Sequence, residues 1–417
     1  MTMLAVPILR VNLALLPSLC LLSAVIALAS ASASASAEDW PRHRGPDLSG
    51  ISSEADFVTS GEASVAWTAE IGLGYSTPVV SGGKVVVSGH DGKDSDTLYC
   101  FDEKSGEVKW QYSYAQALGD LYFQGGTTGS ATFDDGKIFL LARQGEIMCL
   151  SEESGELIWS KHLQDDFGYS MPTWGFSGAP LVQGDSVYFN AGEAGLALNK
   201  KDGSVIWKSE DEEAGYSTPY PFEKDGKSFL IFTNKRYYVC VDSVTGAKTW
   251  EYKWMTRYGV NAADPIVVGD DIFISSGYGK GAALIKWTGQ GDPERVWQSR
   301  DLKTQMNAAL LIDGFLYGID GNEGQDETGL KCVEWSTGET KWLVDGLGHG
   351  AVSAVGDQLV VVSENGKVQI GQASPSGFKP TFSQELIKPK VWTVPVVANG
   401  RIYLRNAGGS LVVVELK

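Results

Sequence analysis

Aromatic and neutral polar residues recur at one place in a sequence period of roughly 40–50 residues, and they are where this chain could do chemistry. Counted three residues ahead of Pro78 and at the equivalent places downstream, the series reads Tyr75, Thr128, Ser177, Tyr216, Ala262, Met306, His349 and Trp392. Asn261 and Gln305 stand one residue earlier in their units, Asn307 and Thr393 one later, and Trp174, Trp254, Arg257 and Tyr258 lie on adjoining stretches. Gathered in a ring, these side chains form a mouth of aromatic faces and neutral hydrogen-bonding groups. That combination suits an aromatic cofactor, a sugar-like polymer or a peptide. The same residues could instead pack the sheet tops and fill a channel. Arg257 suits a carboxylate or orthoquinone oxygens; a salt bridge to Asp264 is its competing use. The expected binding residues are Tyr75, Trp174, Tyr216, Arg257, Tyr258, Asn261, Asn307, His349 and Trp392, with no catalytic residue and no metal ligand.

Other constellations point to little. The histidines at 43, 90, 162 and 349 lack metal-ligand spacing. The run Asp91-Gly-Lys-Asp94-Ser-Asp96 has the carboxylate density of a calcium loop but lacks its distal Glu. Glu210-Asp-Glu-Glu213 reads as a solvated loop, and neither Ser170 nor Ser217 stands in a nucleophile elbow.

The elements that position the mouth follow from Ser76–Trp110. Four short apolar runs (TPVV, KVVVSG, TLYCFD, EVKW) are separated by Gly-rich or Asp/Ser-rich breaks, the pattern of four strands joined by tight turns. One such sheet cannot bury both faces, and the chain repeats it. Units ending at Trp159, Trp207, Trp250, Trp297 and Trp342 follow, then a degenerate seventh with Phe382 near the Trp place. An eighth, Trp392–Lys417, stops after three strands. Val65–Thr68, with Trp67 in the Trp place, supplies the missing outer strand and closes the ring. The expectation is an all-β, eight-bladed propeller of four-stranded antiparallel blades, with seven blades as the fallback. Cys100, Cys149, Cys240 and Cys332 share one third-strand position, which reads as a buried apolar slot rather than a disulfide framework.

Residues 1–37 read as a signal peptide: an apolar run, Val11 to Ala29, precedes Ala35-Ser36-Ala37. Leu16-Pro-Ser-Leu-Cys20 fails as a lipoprotein box because Leu19 is too large before the cysteine. The expected division is 1–37 signal, 38–64 N-terminal extension and 65–417 propeller. The 417-residue chain carries a formal charge of −17, which argues against nucleic acid. A periplasmic or secreted monomer is expected, with no membrane span after signal removal.

The repeats resemble the PQQ-like β-propeller repeat, with its strand-opening Pro, Gly turn, L-D-x-x-[TS]-G turn and closing Trp. Leu150-Ser-Glu-Glu-Ser-Gly155, Val241-Asp-Ser-Val-Thr-Gly246 and Val333-Glu-Trp-Ser-Thr-Gly338 fit that turn. Asp39-Trp-Pro-Arg-His-Arg-Gly-Pro46 with Gly50 looks like the N-terminal signature of exported, BamB-like members in planctomycete-type bacteria. The resemblance implies shape more than chemistry. A quinoprotein alcohol or polyvinyl alcohol dehydrogenase of this kind would need an adjacent Cys-Cys pair, calcium ligands and a catalytic Asp. No Cys-Cys occurs, and Asp264 beside Asn261 is the nearest approach to the rest. The expected function is therefore a non-catalytic envelope scaffold, similar to the propeller subunit of outer-membrane β-barrel assembly, with an envelope protein or polymer as partner and no cofactor. PQQ with calcium belongs only to the dehydrogenase alternative, and extracellular polysaccharide binding is a second alternative.

Overall fold

Short apolar runs closed by Gly turns cannot propagate helix, and each pairs with the next at once. The computed structural model describes residues 38–121, 123–321 and 328–417; the expected signal peptide lies outside them. The first blade is Val79–Ser81, Lys84–His90, Ser95–Asp102 and Val108–Ala115, paired antiparallel in sequence order. Seven more sheets follow that scheme, and the first strands of neighbouring blades touch around a central channel. The described residues contain no helix long and apolar enough to cross a membrane.

The degenerate seventh unit is a full sheet, Ala351–Val355, Gln358–Val362, Lys367–Gln372 and Phe382–Glu385, so the seven-bladed fallback falls away. In the eighth, Val396–Ala398, Arg401–Arg405 and Ser410–Leu416 are completed by Ala63–Glu70 from the start of the chain. Trp67 stands opposite Val413 there, as the closing Trp110, Trp159, Trp250 and Trp342 stand opposite Cys100, Cys149, Cys240 and Cys332. Phe382 takes the same place against Ile370. The four cysteines are fully buried in four separate blades, where burial pushes the Cys149 thiol up to about 12.

The Trp and the Gly of the repeat are two halves of one joint between blades. Asp102 Oδ1 accepts the amides of Lys104 and Ser105 at 3.1 and 3.0 Å, which folds the turn tightly and brings Gly106 to φ +74°. Trp67 of the last blade lies flat against that glycine, where a Cβ would come within 2.6 Å of the indole. Its Nε1 donates to Glu103 O at 2.9 Å. Trp110 meets Gly155 and Glu152 O of the second blade in the same way. Trp159, Trp207, Trp297 and Trp342 likewise donate to carbonyls of the following blade. The sequence period is the spacing of these joints.

Residues 38–54 run inside the channel. Trp40, fully buried, exchanges both backbone hydrogen bonds with Val80 at 2.8 Å. Pro41 O accepts from Phe133 N, and Ile51–Ser52 pairs in parallel with Ala354 and Val355 as a fifth, innermost strand of the seventh blade. Asp39 and Glu54 fix the two ends to the turns between first and second strands, on Gly82 and on Asn399 and Gly400. The segment therefore enters and leaves at the face opposite the mouth. His43 and Arg44 stand at its turn, partway up the channel.

Candidate functional site

A cavity of about 370 Å³ occupies the mouth of the channel. All eight residues of the ring read from the repeat line it: Tyr75, Thr128, Ser177, Tyr216, Ala262, Met306, His349 and Trp392. They converge because each sits on the link that crosses from one blade's outer strand to the next blade's inner strand. Of the nine expected binding residues, Tyr75, Trp174, Tyr216, Asn307, His349 and Trp392 line the cavity, whereas Arg257, Tyr258 and Asn261 do not.

Asn261 is fully buried, and its amide serves the frame. Nδ2 donates to Asn234 O and Trp254 O at 2.9 Å each, and Oδ1 accepts from Ser276 at 3.0 Å. Arg257 is exposed, with its guanidinium 5.2 Å over the Tyr258 ring; the alternative pairing with Asp264 is not formed. Tyr258 packs edge-on against Tyr278 at 4.9 Å, so it stands on the rim, one ring outside the lining.

Two aromatic groups make the walls. Tyr75 stacks on Trp392 at 5.5 Å and meets Phe123 at 5.8 Å, and His349 meets Trp392 edge-on at 5.6 Å. Trp392 Nε1 donates to Glu364 Oε1 at 2.9 Å, and Lys390 Nζ lies 3.4 Å from the indole centroid. Across the cavity Trp174 and Tyr216 meet edge-on at 5.9 Å. Ser177 Oγ donates to Tyr216 O and Thr128 Oγ1 to Phe176 O between neighbouring blades, and Asn307 Nδ2, ahead of the sixth blade, donates to Trp392 O ahead of the eighth.

Asp264 is legible in the sequence as a partner for Arg257 and beside Asn261, but the floor it belongs to is not. Two residues beyond the ring lie Thr77, Ser130, Thr218 and Asp264, all buried and all lining the cavity. They form a belt in which backbone amides donate to the next blade's side chain: Thr77 N to Ser130 Oγ at 2.8 Å and Thr218 N to Asp264 Oδ1 at 2.7 Å. The same alignment, carried two residues further, would have found them. His43 and Arg44 had no such signal, because the contacts that bring them here span the whole chain. His43 lies 3.4 Å from Thr77 Oγ1 and 3.8 Å from Asp264 Oδ2.

Charge on the floor is set by desolvation. Burial pushes Asp264 up to about 6, opposed by the Arg44 charge and the Thr218 amide. Burial, with the Arg44 charge, pushes His43 down to about 3. The 3.8 Å approach is therefore a neutral imidazole beside a carboxylate, not an ion pair. Arg44 is buried and spent on carbonyls: Nε donates to Leu48 O at 2.9 Å, and Nη2 to Ser49 O at 2.8 Å and Ala309 O at 3.0 Å.

The discounted calcium-like run 91–96 begins as a self-capped turn, since Asp91 Oδ1 accepts the amides of Lys93, Asp94 and Ser95. The acidic run at 210–213 is less solvated than its composition suggests: Asp211 caps Ser170, and Glu213 pairs with Lys235 at 2.7 Å.

Residues 94–343 match the family model described as outer membrane protein assembly factor BamB. A protein of that name from Shewanella oneidensis is 27% identical over 280 residues, 63% of this chain and 67% of the relative. A quinoprotein ethanol dehydrogenase from Pseudomonas aeruginosa is 25% identical over 298 residues, 62% of this chain but 46% of the relative's length. The crystal structure of BamB from Moraxella catarrhalis superposes with a TM-score of 0.63 at 17% identity, over 85% of this chain and 100% of that one, a likeness of fold.

Proposed function

The chain belongs to the family described as outer membrane protein assembly factor BamB, and from that premise we propose that it is an exported, non-catalytic propeller. It serves as a binding or assembly scaffold in the cell envelope and takes its partner at the channel mouth. The observation that carries this reading is the rim. Leu121, Met171, Met255 and Tyr258 are exposed on the long links at this face, around the aromatic cavity and beside Arg257. Large apolar side chains grouped about a concave centre mark an interaction site more readily than scattered ones do. Export is supported by the Val11–Ala29 run ahead of Ala35-Ser36-Ala37.

The quinoprotein alternative meets an obstacle on the floor. PQQ is a tricarboxylate, and Asp264, a buried carboxylate facing the cavity, stands where a catalytic Asp could but offers such a group no countercharge. Arg44, the nearby cation, already serves three carbonyls. Among the described residues no group of three His, Cys, Asp or Glu side chains is placed to hold a metal ion. These residues do not fit the group.

Capture from envelope extracts tests the scaffold reading. A Trp174→Ala/Tyr258→Ala double variant with unchanged melting temperature is expected to recover its principal partner several-fold less well than wild type. Equal recovery by the two proteins would move the binding surface away from the mouth.

A further inference from the structure

Asp264 is a buried carboxylate that lines a cavity without a cation of its own. Its side chain is 4% exposed, Oδ1 is satisfied by the Thr218 amide, and Oδ2 has only the neutral His43 ring at 3.8 Å. Among the described residues no Lys or Arg nitrogen comes within 4 Å of it; the guanidinium of Arg44 points to Leu48, Ser49 and Ala309 carbonyls instead. A carboxylate held this far from water gains much from an opposite charge and loses much without one. Between it and solvent stand aromatic walls, Tyr75 and Trp392 on one side and Trp174 and Tyr216 on the other. Rings of this kind favour a cation and pack its alkyl stem. The whole chain, at −17, draws cations toward it.

We propose that the mouth cavity is a receptor for an alkyl ammonium group, whose charge sits against Asp264 Oδ2 and whose stem lies between the aromatic walls. This rests on the reading of the mouth as a binding site and deepens it: the partner is recognised by a basic side chain inserted into the channel. A free diamine offers the same chemistry.

Titration calorimetry at pH 7.5 with three probes separates the cases: Nα-acetyl-lysine methylamide, cadaverine, and the neutral Nα-acetyl-norleucine methylamide. At least one cationic probe is expected to bind wild type tenfold or more tighter than the norleucine probe, and Asp264→Asn is expected to abolish that preference. Binding by the capped lysine assigns the site to a polypeptide side chain; binding by cadaverine alone assigns it to a small amine. Affinity for the cationic probe should fall between pH 7.5 and pH 5 as Asp264 gains its proton near 6. The other groups facing it are His43, neutral down to about 3, Arg44, and the Tyr220 and Tyr238 hydroxyls, whose titration burial holds above that range. Equal affinity for lysine and norleucine probes, no saturable binding by either cation, or a preference that survives Asp264→Asn would overturn the proposal. If Asp264→Asn does not fold, the lysine and norleucine comparison on wild type decides alone. A failed titration beside a successful capture experiment removes the ammonium site and leaves the scaffold reading intact.

Discussion

Trp67→Ala lowers the stability of the folded ring by about 3–5 kcal/mol, the range for truncating a large buried aromatic side chain. The indole is 7% exposed, packs in one core with Val85, Phe101 and Val413, and donates to Glu103 O across the seam between last and first blades. In every other blade a turn of the chain joins the outer strand to the third strand, whereas here the outer strand is continuous only with the first blade. This strand, Ala63–Glu70, reaches the eighth blade only through non-covalent pairing. Its loss exposes the edge of Ser410–Leu416 as well as a cavity. Urea unfolding followed by fluorescence checks the magnitude, with Trp110→Ala as the control for a joint inside the chain. Equal midpoints for Trp67→Ala and wild type would mean that the seam carries no load.

Arg44→Ala should cost a similar amount, about 3–5 kcal/mol, because it leaves buried acceptors at Leu48, Ser49 and Ala309 without their charged donor. Its signature is a pH dependence. The folded-state pKa of Asp264, about 6, lies above the ordinary 3.8. Its contribution to stability is thus fully present below the unfolded value and is lost as pH rises through the folded one. Arg44 limits that loss by favouring the carboxylate. Removing the guanidinium raises the Asp264 pKa further, so the gap between variant and wild type should widen from pH 5 to pH 7.5. His43 acts with the opposite sense, and it separates variant from wild type only at lower pH, toward its folded value of about 3. Its depressed pKa gives stability that is present above 6.5 and lost as pH falls toward 3, and without the neighbouring Arg44 charge that loss becomes smaller. Both effects make the variant compare better at the acid end. A gap that stays constant from pH 5 to pH 7.5 would show that Arg44 does not act on the floor electrostatically.

Much of this arrangement was legible because the repeat records local geometry. Asp102, Gly106 and the closing Trp recur where a tight turn must meet a flat ring, and the mouth positions recur four residues ahead of the inner strand in seven blades and two ahead of it in the seventh. Phe382 could be placed by the same count, although only the structure shows that its strand completes a blade. Residues outside the period were harder. Asn261 and Arg257 lie on a Gly- and aromatic-rich link, and one turns inward to three frame hydrogen bonds while the other turns out to Tyr258. Composition is the same for both outcomes. The stretch 38–54 reads as an extension, since Trp40 finds Val80, Arg44 finds Ala309 and Gly50 finds Ala354 only after the ring has closed. Asp264 was visible as a carboxylate beside Asn261, but its isolation from cations depends on those same distant contacts.

On the scaffold reading the mouth face, not the blade edges, meets the partner. Photo-activated cross-linkers placed singly at Met171, Met255 and Tyr258 on the rim, and at Val205 and Val244 on exposed outer positions, test it directly in intact cells. Cross-links from the rim positions to one envelope polypeptide, absent from Val205 and Val244, are the predicted result. Cross-links confined to Val205 and Val244 would contradict it.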